Sequence, residues 1–323
     1  MIRGLVLGKF LPPHTGHLHL IREARQKCDL LTVVVGTLKS EPIEGQLRFR
    51  WMKELCQGCR VVHLTDENPQ YPEEHPEFWN IWKSSLRRMH PEPVDLLFSS
   101  ELYGDRLASE LGAEHRCIDL QRQAVPISGT EIRHRPLRNY RFIPEIVRPY
   151  FHKKIVITGA ESTGKTTTAR HLANRLNTVW AHEYAREYLD CMGRYVEEQD
   201  IAKIARGQIA LEDRMRNAAN RAYICDTDLM ATIIYSQHYF GGCPDFVATE
   251  LQKRVGDFYV FMDVDIPWVD DPQRDAPHLR REFRARFLDI LHEHRASYAI
   301  AGGAFRHRLQ NAYEIVTDYL KQF

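Results

Sequence analysis

With 323 residues, the chain is long enough for two domains that each bury a core, and its 44 Lys and Arg against 43 Asp and Glu leave a formal charge of only +1. That balance excludes a global electrostatic case for nucleic acid or membrane surfaces, and no apolar run approaches the length that spans a bilayer. Seven scattered cysteines make no disulfide framework and point to a reduced, cytoplasmic setting. Cys56 and Cys59 form a lone CxxC without a histidine cluster, and read as helix-face thiols rather than zinc ligands. Met1–Gly8 is too short and glycine-punctuated for a signal peptide and reads as a first strand.

After that strand comes Gly8-Lys-Phe-Leu-Pro-Pro-His-Thr-Gly-His17, whose prolines end the regular structure and place His14 and His17 at a helix start. Leu30–Gly36 is a near-continuous apolar run of the kind buried on both faces of a parallel sheet. Gln46–Gln57 has helical periodicity, Arg60–Leu64 is a strand, and a polar, proline-rich loop from Asp66 leads to a helix carrying Trp79 and Trp82. Asp95–Ser100 and His115–Asp119 are further strands, around a helix from Tyr103 to Leu111 closed by Gly112. In Pro126-Ile-Ser-Gly-Thr-Glu-Ile-Arg133, Ser128 and Glu131 have capping-box spacing. Residues 134–153 read as a mostly helical connector with a solvated basic face. Alternating strands and helices imply an open parallel sheet that takes ligands at the carboxyl ends of its strands.

Two histidines at the dipole-positive end of a helix, after Gly8-x-Phe10, point to a bound triphosphate. A phosphate attacking the α-phosphorus of ATP is already an anion, so alignment and charge stabilisation suffice. His14 and His17 supply N–H groups for this, Lys9 a further cation, and the helix start with Ser128, Thr130 and Arg133 a hold on the departing pyrophosphate.

The second half opens with Lys154–Thr158, a β-branched strand, then Gly159-Ala-Glu-Ser-Thr-Gly-Lys-Thr166, then a helix with Ala169, Leu172, Ala173 and Leu176 on one face. Strand, glycine loop and Lys-Thr opening a helix form the full context of a phosphate-binding loop. Gly159 and Gly164 let the loop of Glu161, Ser162 and Thr163 aim its N–H groups inward, continuing through Thr166 and Thr167. Lys165 reaches the β- and γ-phosphates and the Thr166 hydroxyl holds Mg²⁺. Thr178–Glu183 is a second strand, Glu197–Ala219 a long amphipathic helix, and Arg221–Cys225 a strand ending at Asp226-Thr-Asp228. Strands at Asp257–Asp263 and Ser297–Gly303 precede a C-terminal helix.

GKFLPPHTGH with ISGTEIR resembles the nucleotidyltransferases that adenylylate small phosphates; Phe98–Gly104, Leu111–His115 and the phosphate loop extend the likeness to the NadR-type bifunctional enzymes. The resemblance implies two doubly wound parallel-sheet α/β domains, an HxGH nucleotidyltransferase Rossmann-like domain at 1–148 and a P-loop kinase domain at 149–323. It implies ATP-dependent phosphorylation of nicotinamide riboside by the second and adenylylation of nicotinamide mononucleotide to NAD by the first, with pyrophosphate released. ATP, both nicotinamide substrates and NAD are then its small-molecule partners, with Mg²⁺ as cofactor and a homo-oligomer left open. Some members carry a DNA-binding helix-turn-helix. This chain begins directly at the first strand, so the expectation is no nucleic-acid partner. Trp79 and Trp82 are candidates to stack on the pyridinium ring or else belong to the core, and Ser99, Ser100, Glu101 and Tyr103 are candidates for the adenosine side.

A kinase acting on a hydroxyl needs a base or positioner beside it. Glu183 closes the strand after the phosphate-loop helix, while Asp226 and Asp228 end the next strand and compete for that role or for Mg²⁺. Arg186 is a substrate contact. Residues 267–275 read as a lid, with Trp268, Asp270 and Asp271 facing the riboside and Arg274 or Arg281 the phosphates. A phosphopantetheine adenylyltransferase fused to a dephospho-coenzyme A kinase, and an NAD-sensing regulator with little turnover, remain as alternatives.

Overall fold

The computed structural model describes residues 1–269 and 277–323. Each half of the chain builds its own five-stranded, all-parallel sheet covered by helices, in two compact units: Met1–Arg148 with Phe323, and Pro149–Gln322.

In the first unit, β1 (Arg3–Gly8), β2 (Leu30–Gly36), β3 (Arg60–Leu64), β4 (Leu96–Ser99) and β5 (Glu114–Cys117) lie in the order 3-2-1-4-5. They alternate with α1 (Thr15–Arg25), α2 (Gly45–Leu55), α3 (Phe78–Met89) and α4 (Gly104–Leu111), and α5 (Gly129–His134) follows. Both faces of the sheet are covered, which is why the Val33-Val-Val35 run is apolar without alternation. Val33 and Val35 pack with Val6, Phe98, Leu20 and Ile21, whereas Val34 packs with Leu5, Leu97 and Leu86 on the other face. The strand order reverses between β1 and β4, and a crevice opens at their carboxyl ends.

The second unit arranges β6 (Lys153–Thr158), β7 (Trp180–Ala181), β8 (Ala222–Asp226), β9 (Phe258–Met262) and β10 (Tyr298–Ala301) in the order 10-9-6-8-7. Its helices are α6 (Lys165–Arg175), α7 (Tyr184–Met192), α8 (Glu198–Ala218), α9 (Leu229–Phe240), α10 (Asp245–Arg254), α11 (Arg280–Glu293) and α12 (Phe305–Leu320). Successive residues of β6 again serve opposite layers: Val156 meets Tyr259 and Phe261, and Ile155 and Ile157 meet Ile224, Val260 and Leu172. None of the described helices is long and apolar enough to cross a membrane.

Two sequence expectations need correction. Residues 134–153 are not mostly helical: after α5 they hold only single 3₁₀ turns at Tyr140–Phe142 and Arg148–Tyr150. Pro136, Pro144 and Pro149 lack the N–H that a helix requires and push the preceding residue out of the helical region. The Arg148 guanidinium, 4.8 Å from the Tyr140 ring centre, and Arg141, 4.6 Å from Phe142, pack onto local aromatic rings instead of lining a helix face. The strand expected over Thr178–Glu183 shrinks to Trp180–Ala181, because the chain leaves the sheet edge at His182 to start α7.

Leu172, fully buried on α6, anchors that helix to the sheet. Leu172→Ala is expected to lower the unfolding free energy of this unit by about 2–5 kcal/mol, measured by urea denaturation; a loss well under 1 kcal/mol would place Leu172 outside a packed core.

Candidate active sites

The first site grows from how α1 begins. A helix start leaves its first N–H groups without partners, and His14 and His17 meet that need reciprocally. The His14 Nδ1 accepts from the Gly16 N–H at 3.1 Å, and the His17 Nδ1 accepts from the His14 N–H at 3.3 Å. This is a capping box built from imidazoles. It also decides the tautomer: with both Nδ1 atoms accepting, each ring carries its proton on Nε2. The rings stack with centres 3.7 Å apart, and the buried Phe10, whose φ is +47°, sets its edge against His17 at 4.9 Å. Burial, followed by the nearby Arg122 charge, pushes the His14 pKa down to about 4; burial and the His14 charge hold His17 well below its usual value. Two neutral N–H donors therefore sit at one helix end.

Around them lies a cleft of about 770 Å³ whose lining includes Gly8, Lys9, Phe10, both histidines, Trp79, Trp82, Ser100, Tyr103, Ser128, Thr130 and Arg133. Ser128 and Glu131 complete the capping box that the sequence predicts, and Arg133 donates to the Leu11 carbonyl and, at 3.1 Å, to the Thr130 hydroxyl. Both tryptophans are half-buried: Trp82 Nε1 donates to the Pro69 carbonyl at 2.8 Å, and Trp79 packs edge-on to Phe78. They belong to the core layer and to the cleft wall together. The turn bearing Ser100 is pinned by Ser99, whose hydroxyl lies 2.9 Å from His115 Nε2, while His115 Nδ1 lies 2.7 Å from Asp105. A Cβ on Gly104 would fall 2.2 Å from that imidazole, which accounts for the glycine.

Lys9 is placed by residues that the motif did not name. Its ammonium lies 3.2 Å from Glu41, and the fully buried Arg48 grips Glu41, the Lys9 carbonyl at 2.6 Å and the Ile43 carbonyl at 3.0 Å. The signal was available: Arg48 shares the buried stripe of α2 with Trp51 and Met52, where a guanidinium must find several acceptors. Arg122, which lines the cleft beside the histidines, gave no such signal. Cys56, outside the cleft, is pushed up to about 12 by burial.

The second site is the β6–α6 turn. Gly159, at φ +131°, passes so close to β9 that a Cβ would meet the Met262 carbonyl at 2.7 Å, and Gly164 turns at φ +84° into α6. The Lys165 ammonium donates to the Ala160 carbonyl at 2.9 Å, as does the Thr163 hydroxyl at 2.8 Å. Behind the loop, the fully buried Arg308 donates to the carbonyls of Thr163 and Asp263, each at 3.0 Å. A cleft of about 910 Å³ runs from Glu161, Ser162, Thr163, Gly164, Lys165, Thr166 and Thr167 to a wall formed by Glu183, Arg186, Asp190, Arg194, Tyr235 and Tyr239.

Asp226 is buried at the end of β8, where the Thr166 hydroxyl favours its charged form. Burial and then the Glu183 charge raise its pKa to about 6. Its Oδ1 has no hydrogen-bond partner among the described residues. An orphaned carboxylate oxygen beside a hydroxyl is an all-oxygen donor pair that fits a small hard cation.

Two expectations go elsewhere. Asp228 faces the interior: it caps α9 through the Met230 N–H and accepts from the Tyr259 hydroxyl at 2.7 Å; like Asp226, it is absent from the described cleft lining. Trp268 lies beside the phosphate loop, next to Val269, whose N–H donates to the Ser162 hydroxyl, and is likewise absent from that lining. Asp270, Asp271 and Arg274 lie outside the described residues.

Residues 5–135 match the cytidylyltransferase-like family and residues 154–308 an AAA domain family. A cytidylyltransferase-like unit followed by a P-loop kinase-like unit is thus the class that fold and sites define. The trifunctional NAD biosynthesis/regulator protein NadR of Escherichia coli (strain K12) is 29% identical over 91% of this chain and 77% of its own length. The nicotinamide-nucleotide adenylyltransferase of Methanospirillum hungatei is 30% identical over 41% of this chain and 75% of its own. A crystal structure of NadR protein in complex with NAD and AMP-PNP superposes with a TM-score of 0.81 at 24% identity, over 99% of this chain and 96% of that one. The chain is thus homologous to the NadR proteins along nearly its whole length, and its first unit to nicotinamide-nucleotide adenylyltransferases.

The depressed histidine pKa values set a sign for acid stability. Between pH 6.5 and about 4 the unfolded chain protonates both rings and the folded one resists, so stability is greatest above pH 6.5 and falls as pH drops. Replacing both rings (His14→Asn with His17→Asn) keeps capping side chains without titration. In urea denaturation at pH 7.5, 6 and 5, the first unit of the double variant should lose less stability than the wild type; parallel curves would mean that the rings do not resist protonation.

Proposed function

We propose that the chain carries out two consecutive steps of cytoplasmic NAD salvage, phosphorylating nicotinamide riboside in the second unit and adenylylating the resulting mononucleotide in the first. The observation that carries this reading is the presence in one chain of two separate anion cradles, an imidazole-capped helix start and a glycine loop, each at the carboxyl end of its own parallel sheet. The ligands are small molecules in both clefts: ATP, nicotinamide riboside, nicotinamide mononucleotide and NAD.

In the second unit, the N–H groups from Glu161 to Thr167 hold the ATP phosphates, and Lys165 exchanges the Ala160 carbonyl for the β- and γ-phosphates. Thr166 and Asp226 would hold Mg²⁺, and the ion would supply positive charge beside the transferring phosphoryl group. Glu183, which faces the cleft, takes the proton of the riboside 5′-hydroxyl as its oxygen bonds to the γ-phosphorus and the bond to the ADP oxygen breaks. Arg186 contacts the acceptor.

In the first unit, the mononucleotide phosphate attacks the α-phosphorus of ATP, forming the new anhydride as the bond to the β-phosphate oxygen breaks and pyrophosphate leaves. Charge grows on the α-phosphate oxygens, where the fixed Nε2–H groups of His14 and His17 donate. Lys9, Thr130 and Arg133 take the pyrophosphate, Ser100 and Tyr103 border the adenosine, and Trp79 and Trp82, in the cleft wall, border the cationic pyridinium.

Lys165→Ala is expected to lower riboside kinase turnover by about 10²-fold or more while adenylyltransferase turnover stays at wild type, and His17→Ala to do the reverse. Both half-reactions are followed with labelled ATP, with phosphopantetheine and dephospho-coenzyme A as rival acceptors. Wild-type protein that turns over the rivals but neither nicotinamide substrate would overturn the reading.

A further inference from the structure

We infer that Gln208, on α8, is a positioning residue for the kinase acceptor site, acting through the start of α7. The inference rests on the kinase reading above and adds to it the part that holds the acceptor wall in register.

None of the residues of α7 is fully buried, and Tyr184 is its one side chain packed against the core cluster of this unit among the described residues. Yet α7 begins directly after Glu183, and Glu183, Arg186, Leu189 and Asp190 line the acceptor side of the cleft. What holds the helix is a set of attachments to α8, whose Ile201, Ile204 and Gln208 line the same cleft. The Tyr184 N–H, one of the unpartnered donors of a helix start, donates to Gln208 Oε1 at 3.0 Å. The Tyr184 ring packs against Gly207, where a Cβ would stand 1.9 Å from it. One turn later, the Tyr188 hydroxyl donates to the buried Asp200 at 2.9 Å.

Gln208 is itself held. Its Nε2 donates to Glu212 at 3.1 Å, and Glu212 accepts from the buried Lys154 at 2.7 Å. Lys154, on β6 just before the phosphate loop, also lies 3.7 Å from Asp228, the N-cap of α9. Both ends of the Gln208 amide are committed, one to the backbone beside Glu183 and the other to a buried ion pair rooted in the strands that present the phosphate loop and Asp226. A misplacement of the acceptor by about 1 Å is enough to cost catalysis heavily, and this amide sets the distance between the two walls.

The test uses the full chain. Gln208→Met keeps side-chain length but bonds at neither end, and Gly207→Ala displaces the Tyr184 ring from the neighbouring position. Each is expected to lower kcat/KM for nicotinamide riboside by about tenfold or more. KM for ATP in the kinase reaction and adenylyltransferase turnover of the same preparation should stay at wild type. Gln208→Asn, which keeps the neutral amide on a shorter arm, should fall between wild type and Gln208→Met, and carries the test alone if the other two give no soluble protein. Variants that melt at lower temperature with unchanged riboside kcat and KM, or whose ATP KM rises in step, would reduce Gln208 to a packing residue. Wild-type protein inactive on nicotinamide riboside would sink the kinase reading instead, so the two failures are distinct.

Discussion

A helix that starts straight after a buried strand leaves several N–H groups aimed at the same small volume, with no carbonyl to receive them. In both units that deficit sits at the centre of the sheet, after β1 and after β6, where strand order reverses and a crevice already exists. An anion satisfies it better than water does, because the donors are fixed and the helix dipole favours negative charge. The two units differ in how they manage the donors without a ligand. The first folds two imidazoles back as caps, which leaves their Nε2–H edges as the reactive donors. The second curls a glycine loop around the space, and Lys165 and Thr163 share the Ala160 carbonyl.

Holding such loops in place falls to buried polar side chains. Arg48, Arg308 and Gln208 are each buried among apolar neighbours, at a desolvation cost that only hydrogen bonds can offset. Their bonds run largely to backbone of the site segments: Arg48 to the Lys9 carbonyl, Arg308 to the Thr163 carbonyl, Gln208 to the Tyr184 N–H. A polar residue on an otherwise apolar stripe thereby fixes a loop that has little side-chain burial of its own. Lys154 belongs to the same group; despite the burial that opposes it, Glu212 and then Asp228 keep its ammonium charged.

Legibility followed locality. The phosphate loop, the histidine pair and the Ser128–Glu131 box are each contained in a few consecutive residues, and strand and helix context on either side could be read from period. The connector and β7 were misread for opposite reasons. Three prolines outweighed a helical composition in the first, and in the second an apolar run at a sheet edge found only one neighbour to pair with. Asp226 and Asp228 end one strand in the sequence, Asp226 as the favoured Mg²⁺ carboxylate and Asp228 as a substrate contact. Their side chains separate because Asp228 turns to cap α9 and meet Tyr259, while Asp226 keeps an oxygen without a partner among the described residues.

By itself the sequence determined that there are two strand–loop–helix anion cradles, which residue types each presents, and that parallel sheets carry them, since these depend on spacing within short segments. Only the tertiary structure decided which carboxylate faces Thr166, which arginine braces Lys9, and that Gln208 ties α7 to α8. Those partners are brought together across the sheet from elements tens of residues apart, and no local periodicity encodes a meeting that chain folding alone arranges.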